Sequence, residues 1–168
     1  MPGQSTENGA MEQHRMLIGE KEYESAIDEV IGQARHTLHI FDSDLSRGGY
    51  ASAKRYEALR KFLLMARGNR LVLVLHETDY LVSRCPRLMG LLRTFSHAIS
   101  IHKTLEHARV ASDMFVIADE THYVHRFYDD KARFLMADDH TGALQLEERF
   151  GQLLESACPA VFATTLGL

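Results

Sequence analysis

The stretch RLVLVLH, residues 70 to 76, holds an unbroken aliphatic run from Leu71 to Leu75, with no polar position left to face water. Such a run fits a strand buried on both faces, in a sheet that helices cover on two sides. Its neighbours agree. The preceding segment YASAKRYEALRKFLLMARG (50 to 68) sets Leu59, Phe62, Leu63 and Met65 on one side of a helix, with Gly68 as the expected C-terminal cap. Earlier, EKEYESAIDEVIGQA (20 to 34) repeats Tyr23, Ala26, Ile27, Val30 and Ile31 at helical spacing and leads into HTLHIFD (36 to 42), which alternates as a strand does. Downstream the pattern predicts a helix around Tyr80 to Phe95 disturbed at Pro86 and a strand AISIH (98 to 102). Two strands, DMFVIAD and HYVHRF, then join through a tight Glu120-Thr121 turn, and a helix covers about Gly142 to Ser156.

The order α-β-α-β-α-β-β-β-α predicts the α/β class: a mixed, mostly parallel sheet sandwiched by helices, with an antiparallel hairpin near its end. At 168 residues the chain suits one domain, expected over 19–168 and preceded by a mobile N-terminal arm, 1–18, that has little to bury. A formal net charge of -4 gives no global attraction to nucleic acid or acidic lipid. No apolar run reaches the length of a signal peptide core or a membrane span. The two cysteines, Cys85 and Cys158, lack metal-ligand spacing and read as buried free thiols. Together these features place the protein in a reducing cytoplasm, outside the membrane.

In sheets of this class, polar residues at the carboxyl ends of strands face the crevice where ligands bind. Here they are Asp42, Ser43 and Asp44 after the first strand, His76 and Glu77 after the second, and His102 and Lys103 after the third. His76 with Glu77 and Asp42 is the constellation best suited to acid-base chemistry, since a histidine titrates near neutrality and carboxylates tune it. The loop DSDLSRGG (42 to 49) offers backbone N–H groups and Arg47 to an anion but matches no phosphate-loop pattern. His122 and His125, like His36 and His39, are three apart and point to opposite faces of a strand, so no metal is expected. The basic run Lys54, Arg55, Arg60, Lys61, Arg67 and Arg70 is relieved by Glu57 alone, and helical geometry sets Arg60, Lys61 and Arg67 around one exposed arc open to a phosphate backbone; a solvated helix face is the plainer reading.

The segment ASDMFVIADETHYVHRF (111 to 127) carries a more particular signal. The layout from first helix to last resembles half of the phospholipase D superfamily, whose motif is His-x-Lys-(x)4-Asp on a strand entering a hairpin, with Gly-Ser-x-Asn seven residues after the aspartate. That resemblance makes the histidine a nucleophile, gives the lysine the phosphate, and brings two motifs together across a two-fold. Aligned on Asp119, the histidine position is Ser112, the lysine position is Met114, and the later four are Arg126, Phe127, Tyr128 and Asp129. A serine without a base is a poor nucleophile and methionine carries no charge, so phosphodiester cleavage is not expected. The stretches RCPRLMGLL, FVIAD and HRF also resemble an uncharacterised family of small bacterial domains of this degenerate kind. The resemblance implies a phospholipase D-like domain that binds a ligand or a protein, needs no cofactor, and pairs as a homodimer. An enzyme built on His76, Glu77 and Asp42, and a weak nucleic-acid binder, are the alternatives. Asp119 itself is expected to hydrogen-bond its own turn.

Overall fold

The aliphatic run of residues 71 to 75 lies inside a single eight-stranded sheet, in a computed structural model that describes residues 13–163. The strands are β1 (Gln13–Ile18), β2 (Thr37–Asp42), β3 (Arg70–Leu75), β4 (Ile99–Thr104), β5 (Met114–Ala118), β6 (His122–Tyr128), β7 (Lys131–Asp138) and β8 (Ala157–Val161). They lie in the order β1-β7-β6-β5-β2-β3-β4-β8. Helices α1 (Glu20–Gln33), α2 (Ala53–Met65), α3 (Asp79–Arg84) and α4 (Pro86–Thr94) follow the first strands, and α5 (His140–Glu155) precedes the last. A short 3-10 helix, Glu106–Val110, sits between β4 and β5.

Each helix forms where the sequence puts an apolar stripe. Tyr23, Ala26, Ile27, Val30 and Ile31 of α1 are all buried, as are Leu59, Phe62 and Leu63 of α2, whose first turn is closed by Ser52 accepting the Arg55 N–H at 3.1 Å. These side chains and those of α4 make one core with Leu38, Ile40, Leu71, Leu73, Val116 and Val124. On the other sheet face, Phe150, Leu146 and Leu153 of α5 pack on Phe41, Val74, Phe115 and Ile117. Adjacent residues of β2, β3 and β5 therefore serve different cores, which is why their sequences show no polar alternation.

The sheet is mixed but mostly antiparallel, which corrects the expected parallel majority. Only β2 with β3 and β3 with β4 run parallel, each pair joined by a crossover through helices. β7 returns from β6 through a tight turn and so must pair antiparallel, and β1 and β8 join the two edges in the same sense. β7 was legible: in KARFLMAD, Phe134 and Met136 are buried while Lys131 and Arg133 are not. Within the arm expected over 1–18, Gln13–Ile18 is instead strand β1, paired antiparallel with β7 from Gln13↔Asp138 to Ile18↔Arg133. Residues 1–12 lie outside the described residues. Pro86 splits the third predicted helix in two and occupies the first turn of α4. α2 ends at Met65 with Ala66 as its cap, so Gly68 does not serve there. Cys85 is buried, and burial pushes its thiol up to about 11, but Cys158 is exposed on β8.

Asp119 has a different role from the expected one: its side chain bonds the α1-β2 link and not its own turn. With Glu120 it forms the centre of the β5-β6 turn, both residues at positive φ (54° and 57°), and Thr121 N–H closes the turn on Ala118 O at 3.1 Å. The turn is therefore centred one residue before the predicted Glu120-Thr121 pair. Its carboxylate accepts the backbone N–H groups of Arg35 at 2.6 Å, His36 at 2.8 Å and Thr37 at 2.9 Å. It thus fastens the hairpin to the link between α1 and β2. Asp119→Ala leaves those donors without their acceptor and is expected to lower stability by about 2 kcal/mol, with Asp119→Asn losing less. Urea unfolding of both variants measures this; a change below about 0.5 kcal/mol for the alanine variant would show that water replaces the carboxylate without loss.

Candidate functional site

The carboxyl ends of β2 and β3, the start of β5 and the end of β6 meet at one end of the sheet, because β5 runs antiparallel to β2 with Phe41 opposite Phe115. The residues singled out from the sequence gather there but divide between the two faces. Asp42 points to the face covered by α1 and α2, along with Leu38 and Ile40. His76 points to the other face, where its ring meets the edge of Phe41 at 5.3 Å.

On that second face His76 is fully engaged. Nδ1 lies 2.7 Å from Thr104 Oγ1 and Nε2 lies 2.6 Å from the carbonyl of Ala111, so neither nitrogen faces open space. Glu77 is exposed at the rim and pairs with Lys103 at 3.2 Å and with Arg109; Lys103 chiefly holds its carboxyl below the ordinary range. Ser43 contributes its carbonyl, which accepts the N–H groups of His76 and Glu77, both at 2.9 Å. His102 lies partway along β4, and burial lowers its pKa. The structure therefore does not bring Asp42 to His76 and Glu77. Leu75, the neighbour of Asp42, directly precedes His76, and that single step crosses the sheet.

The first face holds a denser arrangement. Met114, at the position the phospholipase D resemblance gives to lysine, pairs across the strands with Arg126. Arg126 is 0% exposed. Its Nη1 and Nη2 donate to the two oxygens of Glu20 at 2.8 and 2.9 Å, Nη2 also donates to Asp129 O at 2.7 Å, and Nε donates to Tyr128 O at 3.0 Å. The guanidinium carbon lies 5.0 Å from the centre of the Tyr23 ring. This bidentate pair leads the interactions that hold the Glu20 carboxyl below its ordinary range. Arg47 completes the cluster from the β2-α2 loop, donating to Asp129 at 2.9 Å and to Glu20 at 3.4 Å. In the same loop Asp44 accepts the backbone and hydroxyl of Ser46 at 2.9 and 2.6 Å.

Beneath this cluster lies Asp42, 1% exposed. Its Oδ1 accepts the N–H groups of Asp44 at 3.1 Å and Leu45 at 2.8 Å, which holds Leu45 at φ 68°. Its Oδ2 is buried without a protein partner, as are the hydroxyls of Tyr23 and Tyr50, both electrostatic neighbours of this carboxyl. Arg55, a member of the basic run but not of the predicted arc, is buried: it pairs with Asp28 at 2.7 Å and stacks over Tyr50 at 4.6 Å, while Arg60, Lys61 and Arg67 are exposed. Glu20, Tyr23, Tyr50 and Asp28 were not singled out from the sequence, and no local pattern marks them. They reach the site from helices and a loop whose placement depends on the whole sheet.

Ser112 is exposed just before β5, and among the described residues no side-chain bond to a base activates it; the adjacent Asp113 is bound by His125 at 2.8 Å and by Arg149 of α5. His122 pairs with Asp138 at 2.7 Å on the opposite face from His125. Among the described residues no group of three His, Cys, Asp or Glu is placed to hold a metal. None of their helices is long and apolar enough to cross a membrane.

Comparison with known proteins follows this geometry. A family model described as Domain of unknown function (DUF7931) matches residues 19–162. No curated protein matches the sequence. Among solved structures, TrmBL2, an archaeal chromatin protein described as showing a novel mode of DNA binding, superposes with a TM-score of 0.67 at 12% identity over 88% of this chain and 54% of its own. This chain thus spans about half of that protein. Nuc from Salmonella typhimurium, a phospholipase D family member, gives 0.62 at 12% identity over 88% of this chain and 99% of its own. NucT from Helicobacter pylori gives 0.61 at 14% identity over 89% and 99%. At these identities the likeness establishes a phospholipase D-like fold.

The Asp42 environment sets a pH dependence. Burial, ahead of the two backbone N–H groups that oppose it, raises its pKa from 3.8 to about 7, with Asp44 and Asp129 adding like charge. The folded state therefore keeps a proton that the unfolded chain releases between about pH 4 and pH 7, and stability falls across that window as pH rises. Asp42→Asn keeps an oxygen for Asp44 and Leu45 and cannot ionise. It is expected to flatten this slope and to exceed the natural protein above pH 7 by on the order of 2 kcal/mol. Urea midpoints from pH 4 to 8 test it, and parallel curves for the two proteins would sink the assignment.

Proposed function

We infer the function of this chain, which belongs to the DUF7931 family, from what occupies the positions of the phospholipase D motif. We propose a phospholipase D-like domain with a degenerate motif, which performs no phosphodiester chemistry and serves as a ligand-binding or protein-interaction module in the cytoplasm. The observation that carries this reading is the Met114-Arg126 pair. The position that would hold phosphate is uncharged, and the guanidinium opposite it is already neutralised by Glu20 and two backbone carbonyls. The position that would supply the nucleophile is Ser112, without a base. Asp119, the one motif residue kept, is occupied with three backbone N–H groups. A chemistry that needs a free nucleophile and a free cation has neither.

Bis(p-nitrophenyl) phosphate is expected to show no turnover above the uncatalysed rate, since loss of a covalent nucleophile commonly removes roughly 10⁴-fold to 10⁶-fold in rate. Ser112→Ala should behave as the natural protein does. Turnover that vanishes in that variant would make the protein an enzyme after all.

We further propose that the module is a two-fold homodimer whose motif ends face each other. Val110 and Tyr128 support this: both are exposed, apolar or aromatic, and lie at the end of the 3-10 helix that leads into β5 and at the end of β6, where such an interface would form. A stable interface of this kind buries more than about 1,000 Å². Light scattering should give twice the 19.1 kDa chain mass, and Val110→Asp with Tyr128→Asp should restore the single chain. A single-chain mass at every concentration would exclude the dimer.

A nucleic-acid role is the second reading, favoured by the likeness to an archaeal chromatin protein. The net charge of -4 and the withdrawal of Arg55 into the core weigh against it.

A further inference from the structure

The outward face of α2 is built unlike the other helix surfaces. Arg55, Leu59, Phe62 and Leu63 turn inward. On the opposite side Glu57, Ala58, Arg60, Lys61, Leu64 and Met65 line a shallow groove of about 590 Å³. Leu64 is 56% and Met65 44% exposed, a large apolar area to leave in water at the end of one helix. The groove does not stop at α2. Ala58, Lys61 and Met65 also border a cleft reaching Arg35 past the end of α1, and Leu64 borders one reaching Arg67 and His97. An apolar strip is thus edged by Arg35, Arg60, Lys61 and Arg67, against the single carboxylate of Glu57.

Arg60, Lys61 and Arg67 are exposed, while Arg35 spends its Nη1 on the carbonyls of Gly32 and Ala34 at 3.0 and 2.9 Å but meets no carboxylate among the described residues. Lys54 and Arg55 of the same helix are both engaged by Asp28, whereas Arg60 and Lys61 meet no carboxylate among the described residues. In a chain of net charge -4 this is a local reversal of sign. From it we infer that the outer face of α2 docks an acidic amphipathic helix of a partner protein, its apolar stripe on Leu64 and Met65 and its carboxylates over the four cations. Glu57, Arg60, Lys61 and Leu64 recur at the spacing with which a helix face reads another helix. Methionine adapts to differing apolar partners, which suits a docking surface.

Two other occupants fit less well. A second copy of this chain would set the same four cations against themselves. Nucleic acid would satisfy the cations but gain nothing from Leu64 and Met65, the exposed apolar side chains of the α2 groove.

The inference deepens the binding-module reading and rests on it. The probe is a fluorescein-labelled four-turn peptide with leucine at its core-facing positions and glutamate flanking them, compared with the same peptide carrying lysine in place of glutamate. By anisotropy with the full chain, the glutamate peptide is expected to bind with a Kd of about 10⁻⁵ M and the lysine peptide at least about tenfold more weakly. Leu64→Ser with Met65→Ser should weaken the glutamate peptide about tenfold. Arg60→Glu with Lys61→Glu should transfer preference to the lysine peptide, a reversal that general unfolding cannot produce. Equal binding of the two peptides, or no binding of the glutamate peptide, would overturn the proposal. So would tighter retention of a labelled oligonucleotide that these charge reversals abolish, or a halved mass by light scattering in the Leu64→Ser, Met65→Ser variant. Failure here leaves the hydrolysis test untouched, since α2's outer face takes no part in it.

Discussion

A guanidinium cut off from water cannot shed its charge, so the protein must supply acceptors for it, and much of this structure is arranged to do so for Arg126. Its side chain is enclosed by Glu20, by the carbonyls of Tyr128 and Asp129, and by the Tyr23 ring. Each partner fixes something larger. Glu20 fixes where α1 begins over the sheet. The two carbonyls turn the β6-β7 connection inward. Arg47, reaching Asp129 and Glu20, draws the β2-α2 loop onto the same point. Removing the guanidinium would leave a carboxylate and two inward-facing carbonyls without their donor.

At this end of the sheet the charge of Arg126 is met internally, by Glu20 and by the carbonyls of Tyr128 and Asp129, and the proposed loss of phosphodiester chemistry rests on that observation. Asp42 lies below, its Oδ2 unpaired among the hydroxyls of Tyr23 and Tyr50, and burial keeps it protonated to about neutral pH. Its position relative to His76 makes the same point. The two lie within a short stretch of adjoining strands, but the pleat sends them to opposite faces, and no reactant could touch both.

The α5 face is held by histidine-carboxylate pairs. His39 lies 2.6 Å from Glu147 and stacks on Phe150 at 4.6 Å, while His125 and Arg149 share Asp113. Pairs of this kind do chemistry only where the second ring nitrogen meets a reactant. Here they join a helix to the sheet through partly buried contacts, where a pair counts for more than on an open surface.

Periodicity alone determined a good deal: the five main helical and strand patterns, the double-sided burial of β3 and the hairpin around Asp119 all follow from where apolar residues recur. Taking Ser112 and Met114 as motif positions rests on residue type and a resemblance, and so belongs to the proposal. The presence of the edge strands was not legible, because β1 and β8 carry weak patterns and the pairing of a strand depends on which neighbour has a free edge. Nor was the fate of the charged residues. Arg55 looks like part of a solvated basic run and is buried, while Arg60, five residues on and so on another side of the helix, is exposed; the difference is which side of α2 meets Tyr50 and Asp28. Glu20 and Arg126 are 106 residues apart, and nothing local joins them. Local sequence sets the faces of elements, but which faces meet is a property of the packed whole, and the site is made only of such meetings.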